Sequence, residues 1–171
     1  MNRLKKIRNL VEVFLIFSFG GWIYESIWCS MIEQNRGFVN RGFLFGPWIP
    51  IYGFGILAAF FVFRKLRVSG GGMIFLVGAL VSTVLELLGS YAMELATGSF
   101  LWDYSDCFMN FQGRIALQPD LYFGFLILFA YYVVYPRVAV LQEKFDDSPA
   151  RNGLTILCVG LFVADIIAKI I

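Results

Sequence analysis

Five long runs of apolar residues, separated by short polar or charged segments, dominate the sequence. Each run is close to the ~20 residues that a membrane-spanning helix needs, and none shows the alternating polarity of a β-barrel strand. The pattern therefore predicts an all-α integral membrane protein, a bundle of about five transmembrane helices that forms a single domain over residues 1–171. The predicted spans are residues 10–32, 47–63, 72–95, 121–141 and 154–171.

The composition agrees with a membrane protein and excludes several other classes. Hydrophobic residues make up 59% of the chain and charged residues 15%, whereas an average soluble domain is about 25% charged. A chain without histidine cannot build a Ser-His-Asp or Cys-His catalyst. The cysteines Cys29, Cys107 and Cys158 are too scattered for a disulfide framework. We expect no cofactor, no bound metal and no nucleic-acid partner, and we expect contact with the lipid bilayer.

The basic residues orient the chain in the membrane. With the N-terminus in the cytoplasm, ten of the fourteen lysines and arginines fall inside, as the positive-inside rule favours. These ten are Arg3, Lys5, Lys6, Arg8, Arg64, Lys65, Arg67, Arg137, Lys144 and Arg151. The predicted topology is a multi-pass protein of the cytoplasmic membrane, with the N-terminus in the cytoplasm and the C-terminus outside. The first apolar run is too long for a signal peptide and is interpreted as a retained anchor.

Two loops face the outer side in this topology, and the first, residues 33–46, leads into the second span. Pro47 and Pro50 fit the first turn of that span, where a missing N–H costs nothing. The free N–H groups of this helix start, together with Arg41, would form a site suited to a carboxylate or a phosphate. The alternative is that Arg41 pairs with an acidic residue of the bundle.

The second outer loop, residues 97–119, mixes aromatic and polar residues. An aromatic belt at the membrane interface explains Trp102 and Tyr104. It does not explain the polar residues beside them, which are Asp103, Asn110 and Arg114.

Acidic residues inside the spans are the sharpest indication of function, because a carboxylate in the membrane is costly and usually faces a cavity or a partner. Helical spacing places Glu25 on a semi-polar face of the first span with Ser18, Trp22 and Cys29. In the third span a polar stripe recurs at every fourth residue, through Ser82, Glu86, Ser90 and Glu94. Other charges in the spans are expected to form local ion pairs, Glu12 with Arg8 and Asp165 with Lys169.

The predicted depths bring the acids of the spans and the charges of the outer loops to the same half of the membrane. The cluster is either a polar cavity that binds a solute or a salt-bridge network that fixes helix packing, and both alternatives stay open. The candidate substrate-binding residues are Glu25, Asn40, Arg41, Glu86, Glu94, Trp102, Asp103, Tyr104, Asn110 and Arg114. Glycines within the spans are expected to make close helix contacts; they are Gly20, Gly21, Gly53 and Gly55.

The same residues carry a resemblance to a known family. The motifs are Gly21-Trp22 with Glu25, Asn40-Arg41-Gly42-Phe43-Leu44, Gly46-Pro47, Pro50-Ile51-Tyr52-Gly53, Glu86, Glu94, Trp102-Asp103-Tyr104-Ser105, Asn110 and Gly113-Arg114. Together they resemble the ABC-transporter type IV permease family, the CmpB-like small membrane proteins of bacteria, over about residues 15–125. The resemblance implies a membrane subunit of a transport system.

Three functions follow as hypotheses. The first is a transport subunit whose outer cavity holds a polar or cationic solute, with a homodimer or a partner permease completing the slim pathway. Any ATPase would be a separate subunit that contacts residues 136–151, because the chain has no nucleotide-binding motif. The alternative is a membrane-embedded enzyme acting on a lipid or cell-envelope precursor, with Glu25 or Glu86 as general base. The third is an accessory subunit in which the charges are purely structural.

Overall fold

The computed structural model describes residues 3–171, and within these residues the chain forms five continuous helical segments and no β-strand. The first segment is α1 (Arg3–Ile23), which continues as a π-helix over Tyr24–Glu33. The others are α2 (Pro50–Leu66), α3 (Gly71–Thr97), α4 (Leu117–Phe129) continuing through a π-helical segment (Ala130–Val134) into α5 (Tyr135–Lys144), and α6 (Pro149–Ile170). The predicted all-α fold is confirmed.

Four of the five helical segments are long and apolar enough to cross a membrane. They are Arg3–Ile32, Gly71–Thr97, Leu117–Lys144 and Pro149–Ile170. α2 has 17 residues, so it is about 25 Å long, at the short end of what spans the hydrocarbon core. The crossing of α2 and the orientation of the termini stay predictions.

The outward faces of these helices fit a lipid environment. α6 has no buried residue, and the side chains of Leu154, Ile156 and Ile170 are 62%, 73% and 75% exposed. In water such a continuous apolar surface would be a strongly unfavourable feature of a monomer, whereas lipid chains cover it without cost.

The second predicted span begins later than expected. α2 begins at Pro50, so Pro47 lies in the preceding loop rather than in the first helical turn. The physical reason is local: a residue before a proline is biased away from helical backbone, so Ile49 ends the loop, and Pro50 is favoured as the first helical residue. The loop closes on itself through the N–H of Trp48, which donates to the carbonyl of Gly46 at 2.8 Å.

The chain divides into two compact units. The first unit contains the residues up to Phe54 together with Arg137–Ile171, and the second contains Gly55–Pro136. In the second unit α3 packs on α4 at two glycines. A Cβ atom on Gly78 would lie 2.8 Å from the side chain of Ile127, and one on Gly124 would lie 2.8 Å from the ring of Phe75.

The buried face of α3 repeats every four residues, as the polar stripe predicts. Its buried residues are Ile74, Gly78, Ser82, Glu86 and Ser90. Glu86 is only 5% exposed and Ser90 is fully buried. The stripe is therefore the inward face of the helix, and Glu94, with its side chain 42% exposed, lies where that face reaches the surface.

The π-helix changes the face predicted for the first span. The fully buried polar residues are Ser18, Ser26 and Ser30, whereas Glu25 and Cys29 are half-buried. Helical spacing predicted Cys29 on the same face as Ser18. In the structure Ser30 is buried with Ser18, and Cys29 is not. Hydrogen bonds from residue i to i+5 add a residue to each turn, so side chains after Ile23 no longer follow α-helical spacing.

Candidate functional site

In the first unit, Glu25 on the π-helix lies between two side chains that bind it, Arg41 and Tyr52. We call Glu25, Arg41 and Tyr52 the Glu25 centre. The Tyr52 hydroxyl donates to Glu25 Oε1 at 2.6 Å, and Arg41 Nη2 is 3.8 Å from Glu25 Oε2. The side chains of Arg41 and Glu25 are 35% and 23% exposed. The pair is therefore long and partly open rather than closed.

Packing of α2 against α1 aims Tyr52 at this carboxylate. A Cβ atom on Gly21 would lie 2.3 Å from the Tyr52 ring, so the ring rests directly on the backbone of α1. Gly53, the next residue of α2, lies equally close to Phe14 and Ser18, where a Cβ atom would be 2.6 Å and 2.5 Å away. The expected close contacts hold for Gly21 and Gly53. They are wrong for Gly20 and Gly55, which have no such neighbour within 4 Å.

The loop that carries Asn40 and Arg41 is fixed by side chains on both sides. The backbone N–H of Arg41 donates to the Ser26 hydroxyl at 3.0 Å. Asn40 accepts a hydrogen bond from Trp22 Nε1 and donates to the carbonyl of Phe45 at 2.8 Å. Of the two roles that the sequence left open for Arg41, the geometry supports pairing with an acid of the chain.

Two N–H groups of the loop before α2 are bound by a carboxylate of the chain itself, whereas the anion site expected at the helix start stays a prediction. Asp165 on α6 accepts the N–H of Phe45 at 3.1 Å and the N–H of Gly46 at 2.9 Å. The expected ion pair of Asp165 with Lys169 is wrong. Lys169 Nζ instead lies over the rings of Phe43 and Phe45, 5.0 Å and 4.5 Å from their centroids.

In the second unit, Arg114 is buried in a closed set of partners. Its guanidinium donates to the Ser90 hydroxyl at 2.8 Å and to Glu94 Oε2 at 2.5 Å. The same group lies over two rings, 4.1 Å from the centroid of Tyr91 and 4.8 Å from that of Phe100. Because the Arg114 side chain is only 8% exposed, this arrangement resembles a packing element more than an open site.

Glu86 also lies in the second unit, with Tyr104 from the second loop. The Tyr104 hydroxyl donates to Glu86 Oε1 at 3.1 Å. Asp120 on α4 lies beside Thr83 and Glu86. Asp120 was not predicted from the sequence, because it lies outside the predicted fourth span. Its place in the first turn of a helix that begins with Leu-Gln-Pro was the available indication.

The remaining candidates of the second loop build the loop itself. Trp102 Nε1 donates to the carbonyl of Arg114 at 2.8 Å. Asn110 Nδ2 donates to two carbonyls of the same loop, at 2.9 Å and 3.0 Å. Asp103 Oδ1 accepts the hydroxyl and the backbone N–H of Ser105 at 2.6 Å and 2.9 Å. These two bonds lower the pKa of Asp103 and keep it ionised.

A second polar cluster of the first unit lies around Glu12 and Arg151, and the contact between these two residues was not predicted from the sequence. Glu12 was expected to pair with Arg8, whose Nε is 3.9 Å away, but its main partner is Arg151 of α6, at 2.5 Å. The Arg151 guanidinium also donates to the carbonyl of Gln142 and to Asn9, and the Thr155 hydroxyl donates to Glu12. Both charged side chains are nearly buried, 12% and 11% exposed.

The structure thus brings the candidates together in two separate sets. Glu25, Asn40 and Arg41 lie in the first unit, and the other seven lie in the second. Their convergence on one cavity stays a prediction. Within residues 3–171, no three acidic or cysteine side chains come close enough to hold a metal ion. Glu25, Arg41 and Tyr52 can form ion pairs and hydrogen bonds with a ligand.

Comparison with known proteins gives one match. Residues 12–170 match the family model described as "Putative ABC-transporter type IV". A search of curated proteins and a search of solved structures found no match.

Proposed function

Since this chain belongs to the ABC-transporter type IV family, we propose that it is the membrane subunit of a transport system in the cell membrane and binds a polar or cationic solute at the Glu25 centre. Glu25 is the proposed ligand for a positive group of the solute. Arg41 and Tyr52 hold that carboxylate in position.

The observation that carries the proposal is the contrast between two arginine–glutamate pairs. Arg114 and Glu94 are 2.5 Å apart, with the arginine side chain 8% and the glutamate side chain 42% exposed, and a solute would have to break a short ion pair to a buried arginine to bind there. Arg41 and Glu25 are 3.8 Å apart and both partly exposed. An open pair gains more from a third polar group, because neither charge is fully satisfied.

The other candidates divide in the same way. Three of them donate hydrogen bonds to groups of the second unit itself: Arg114, Trp102 and Asn110. We assign them a role in holding the second loop, not in contacting a solute. Glu86 and Tyr104 stay candidate solute-binding residues of the second unit, because Glu86 is a carboxylate with a tyrosine hydroxyl partner, as Glu25 is in the first unit.

A separate ATPase subunit is the proposed partner of residues 136–151. This segment exposes an apolar pair four residues apart, Leu141 on α5 at 54% and Phe145 directly after α5 at 45%. The turn that follows is held in place by α1, since Lys5 binds Asp146 at 2.6 Å. An exposed apolar pair on an anchored turn suits a protein partner. A homodimer or a partner permease is proposed to complete the pathway.

Solute binding is tested with the purified protein in nanodiscs. Thermal unfolding is measured with a panel of polar solutes bearing amino groups, for the wild type, Glu25→Gln and the control Glu143→Gln on the exposed face of α5. A solute at 100 times its Kd stabilises the fold by about 2.7 kcal/mol. We expect this stabilisation in the wild type and the control and its loss in Glu25→Gln. Equal stabilisation of all three would contradict the assignment of Glu25.

The partner is tested by purifying the tagged chain from its native membrane. We expect an ATPase to co-purify, and less of it with Phe145→Glu than with the control Lys65→Glu. Repeated absence of an ATPase would argue against the transport function. The enzymatic alternative is tested by mass spectrometry of native lipids. It requires the lipid composition of cells that carry Glu86→Gln to differ from that of the wild type.

A further inference from the structure

The C-terminal helix holds the loop of the Glu25 centre through two residues one turn apart. The Asp165 carboxylate accepts two successive backbone N–H groups, from Phe45 and Gly46, at 3.1 Å and 2.9 Å. Lys169 lies over the Phe45 ring, 4.5 Å from its centroid. We call this set of contacts the α6 latch.

The latch is shaped closely around glycine at position 46. A Cβ atom there would lie 2.8 Å from Asp165 Oδ2 and 2.9 Å from Trp48 Nε1. Trp48 in turn packs edge-on against Phe162 of α6, with ring centroids 5.9 Å apart. The carboxylate therefore reaches the backbone at a place where a larger residue would push it away.

A chain of hydrogen bonds runs from the latch to the binding residues. Phe45 gives its N–H to Asp165 and accepts the Asn40 side chain on its carbonyl, at 2.8 Å. Asn40 is fixed on its other side by Trp22. The next residue, Arg41, is the one that faces Glu25. Displacement of Phe45 would therefore move Asn40 and, with it, the backbone of Arg41.

The latch also explains why Asp165 and Lys169 do not pair with each other. The carboxylate binds two successive backbone N–H groups of the loop, and hydrogen bonds to an ionised acceptor are stronger than those to a neutral one. The ammonium group gains from two aromatic faces at once. Both charges of α6 are thus directed at the loop, although helical spacing alone favours a pair within the helix.

We propose that Asp165 is a positioning residue: through Phe45 and Gly46 it fixes the loop that carries Asn40 and Arg41, and so sets the separation between Arg41 and Glu25. The C-terminal helix is then part of the solute-binding apparatus, although it contributes no solute ligand. The consequence for solute binding rests on the proposed function, whereas the effect on the loop does not.

Amide hydrogen exchange of the protein in nanodiscs tests the effect on the loop. We expect the exchange rate of peptides covering residues 41–49 to rise about tenfold or more in Asp165→Leu, and less in Asp165→Asn, which keeps one acceptor oxygen. Asp165→Glu keeps the carboxylate and is expected to restore part of the protection. The control is Asp147→Asn, at an acid that is 90% exposed and binds only Lys5 in the first unit, and it should leave residues 41–49 unchanged.

Two outcomes would overturn the proposal. Unchanged exchange at residues 41–49 in Asp165→Leu would show that the carboxylate does not fix the loop. Faster exchange throughout α1 and α6 in every Asp165 variant, including Asp165→Glu, would show a general packing role. Failure of the proposed function has a different signature, because the loop would then respond to Asp165→Leu while no solute stabilised the wild type.

Discussion

Arg114 joins an ion pair, a hydroxyl and two aromatic faces at one guanidinium. The planar fork of arginine makes this possible, because it can bind two acceptors in its plane while its faces stack on rings. Arg114→Lys keeps the charge but cannot reproduce both contacts. We expect a loss of about 1–3 kcal/mol in the free energy of unfolding.

Denaturant unfolding in a fixed detergent measures this loss. Arg64→Lys, at an exposed residue of α2, is the matched control, and its effect should stay within about 0.5 kcal/mol. Equal stability of Arg114→Lys and the wild type would show that the second loop does not depend on the two hydrogen bonds of the Arg114 guanidinium to Ser90 and Glu94.

Asp146 gives stability a dependence on pH that has a defined sign. The hydrogen bond from Lys5, followed by that from Arg8, lowers the pKa of Asp146 below its usual value. A carboxyl whose pKa is lower in the folded state stabilises the fold above its unfolded pKa, near 3.9, and loses this contribution as the pH falls through the folded pKa. The stability difference between the wild type and Asp146→Asn should therefore be constant from about pH 8 to 6 and disappear in acid.

Thermal unfolding of both proteins across this pH range checks the prediction. A difference that instead grew on acidification would mean that Asp146 is bound as the neutral acid.

Single residues were predicted from sequence only where their partners are close along the chain or their type is rare in a membrane. Glu25 and Glu86 were found because charges in apolar spans are costly, and Arg114 because an aromatic belt does not explain a charged residue in the second loop. The partners of Asp165 are 119 and 120 residues away, and Arg151 is 139 residues from Glu12. No periodicity within one helix encodes such distant contacts, so local ion pairs were expected instead.

At the scale of elements, α-helical spacing predicted the inward face of α3 because that helix is regular throughout, from Ile74 to Ser90. The same spacing put Cys29 on the face of Ser18 in the first span, whereas Ser30 is buried there with Ser18, since the chain changes to π-helical hydrogen bonding at Tyr24. Nothing in the run Tyr-Glu-Ser-Ile-Trp distinguishes a π-helix from an α-helix, and π-helical segments are rare enough that sequence patterns do not anticipate them.

The contact of α1 with α2 can be tested with two adjacent glycines. Gly21→Ala would place a Cβ atom 2.3 Å from the Tyr52 ring, whereas Gly20→Ala meets nothing within 4 Å. We expect Gly21→Ala to destabilise the fold by about 1–3 kcal/mol and to displace Tyr52 from Glu25. Gly20→Ala should be neutral or stabilising by up to about 1 kcal/mol, because alanine is the better helix former.

Unfolding of the two variants in the same detergent gives the comparison. Similar destabilisation by both would show that loss of glycine flexibility, not the Tyr52 contact, governs this helix.

The polar cluster around Glu12 connects α1, α5 and α6 within the first unit. Removing Arg151 leaves the nearly buried Glu12 with the longer contact to Arg8, at 3.9 Å, so Arg151→Leu should cost about 3 kcal/mol. The double variant Glu12→Leu/Arg151→Leu should cost clearly less than the sum of the single variants. Additive costs in this double-mutant cycle would mean that the two side chains stabilise the fold independently.

For the whole molecule, the number of membrane crossings is five if α2 crosses the membrane and four if it does not. Five crossings place the termini on opposite sides. If α2 stayed on the outer side, four crossings would bring the C-terminus into the cytoplasm and invert every segment after α2. The basic run at the end of α2, Arg64, Lys65 and Arg67, favours a crossing, because it would otherwise lie outside.

Three accessibility measurements on intact cells distinguish the two topologies. In a cysteine-free background, we expect a membrane-impermeant maleimide to label Ser99→Cys from outside and Lys65→Cys only after permeabilisation, and we expect protease to remove a C-terminal tag from outside. Four crossings would reverse all three results together. Such a reversal would place the second loop, with Asp103 and Asn110, in the cytoplasm, opposite to Glu25, so the two sets of candidate residues could not share one outer cavity.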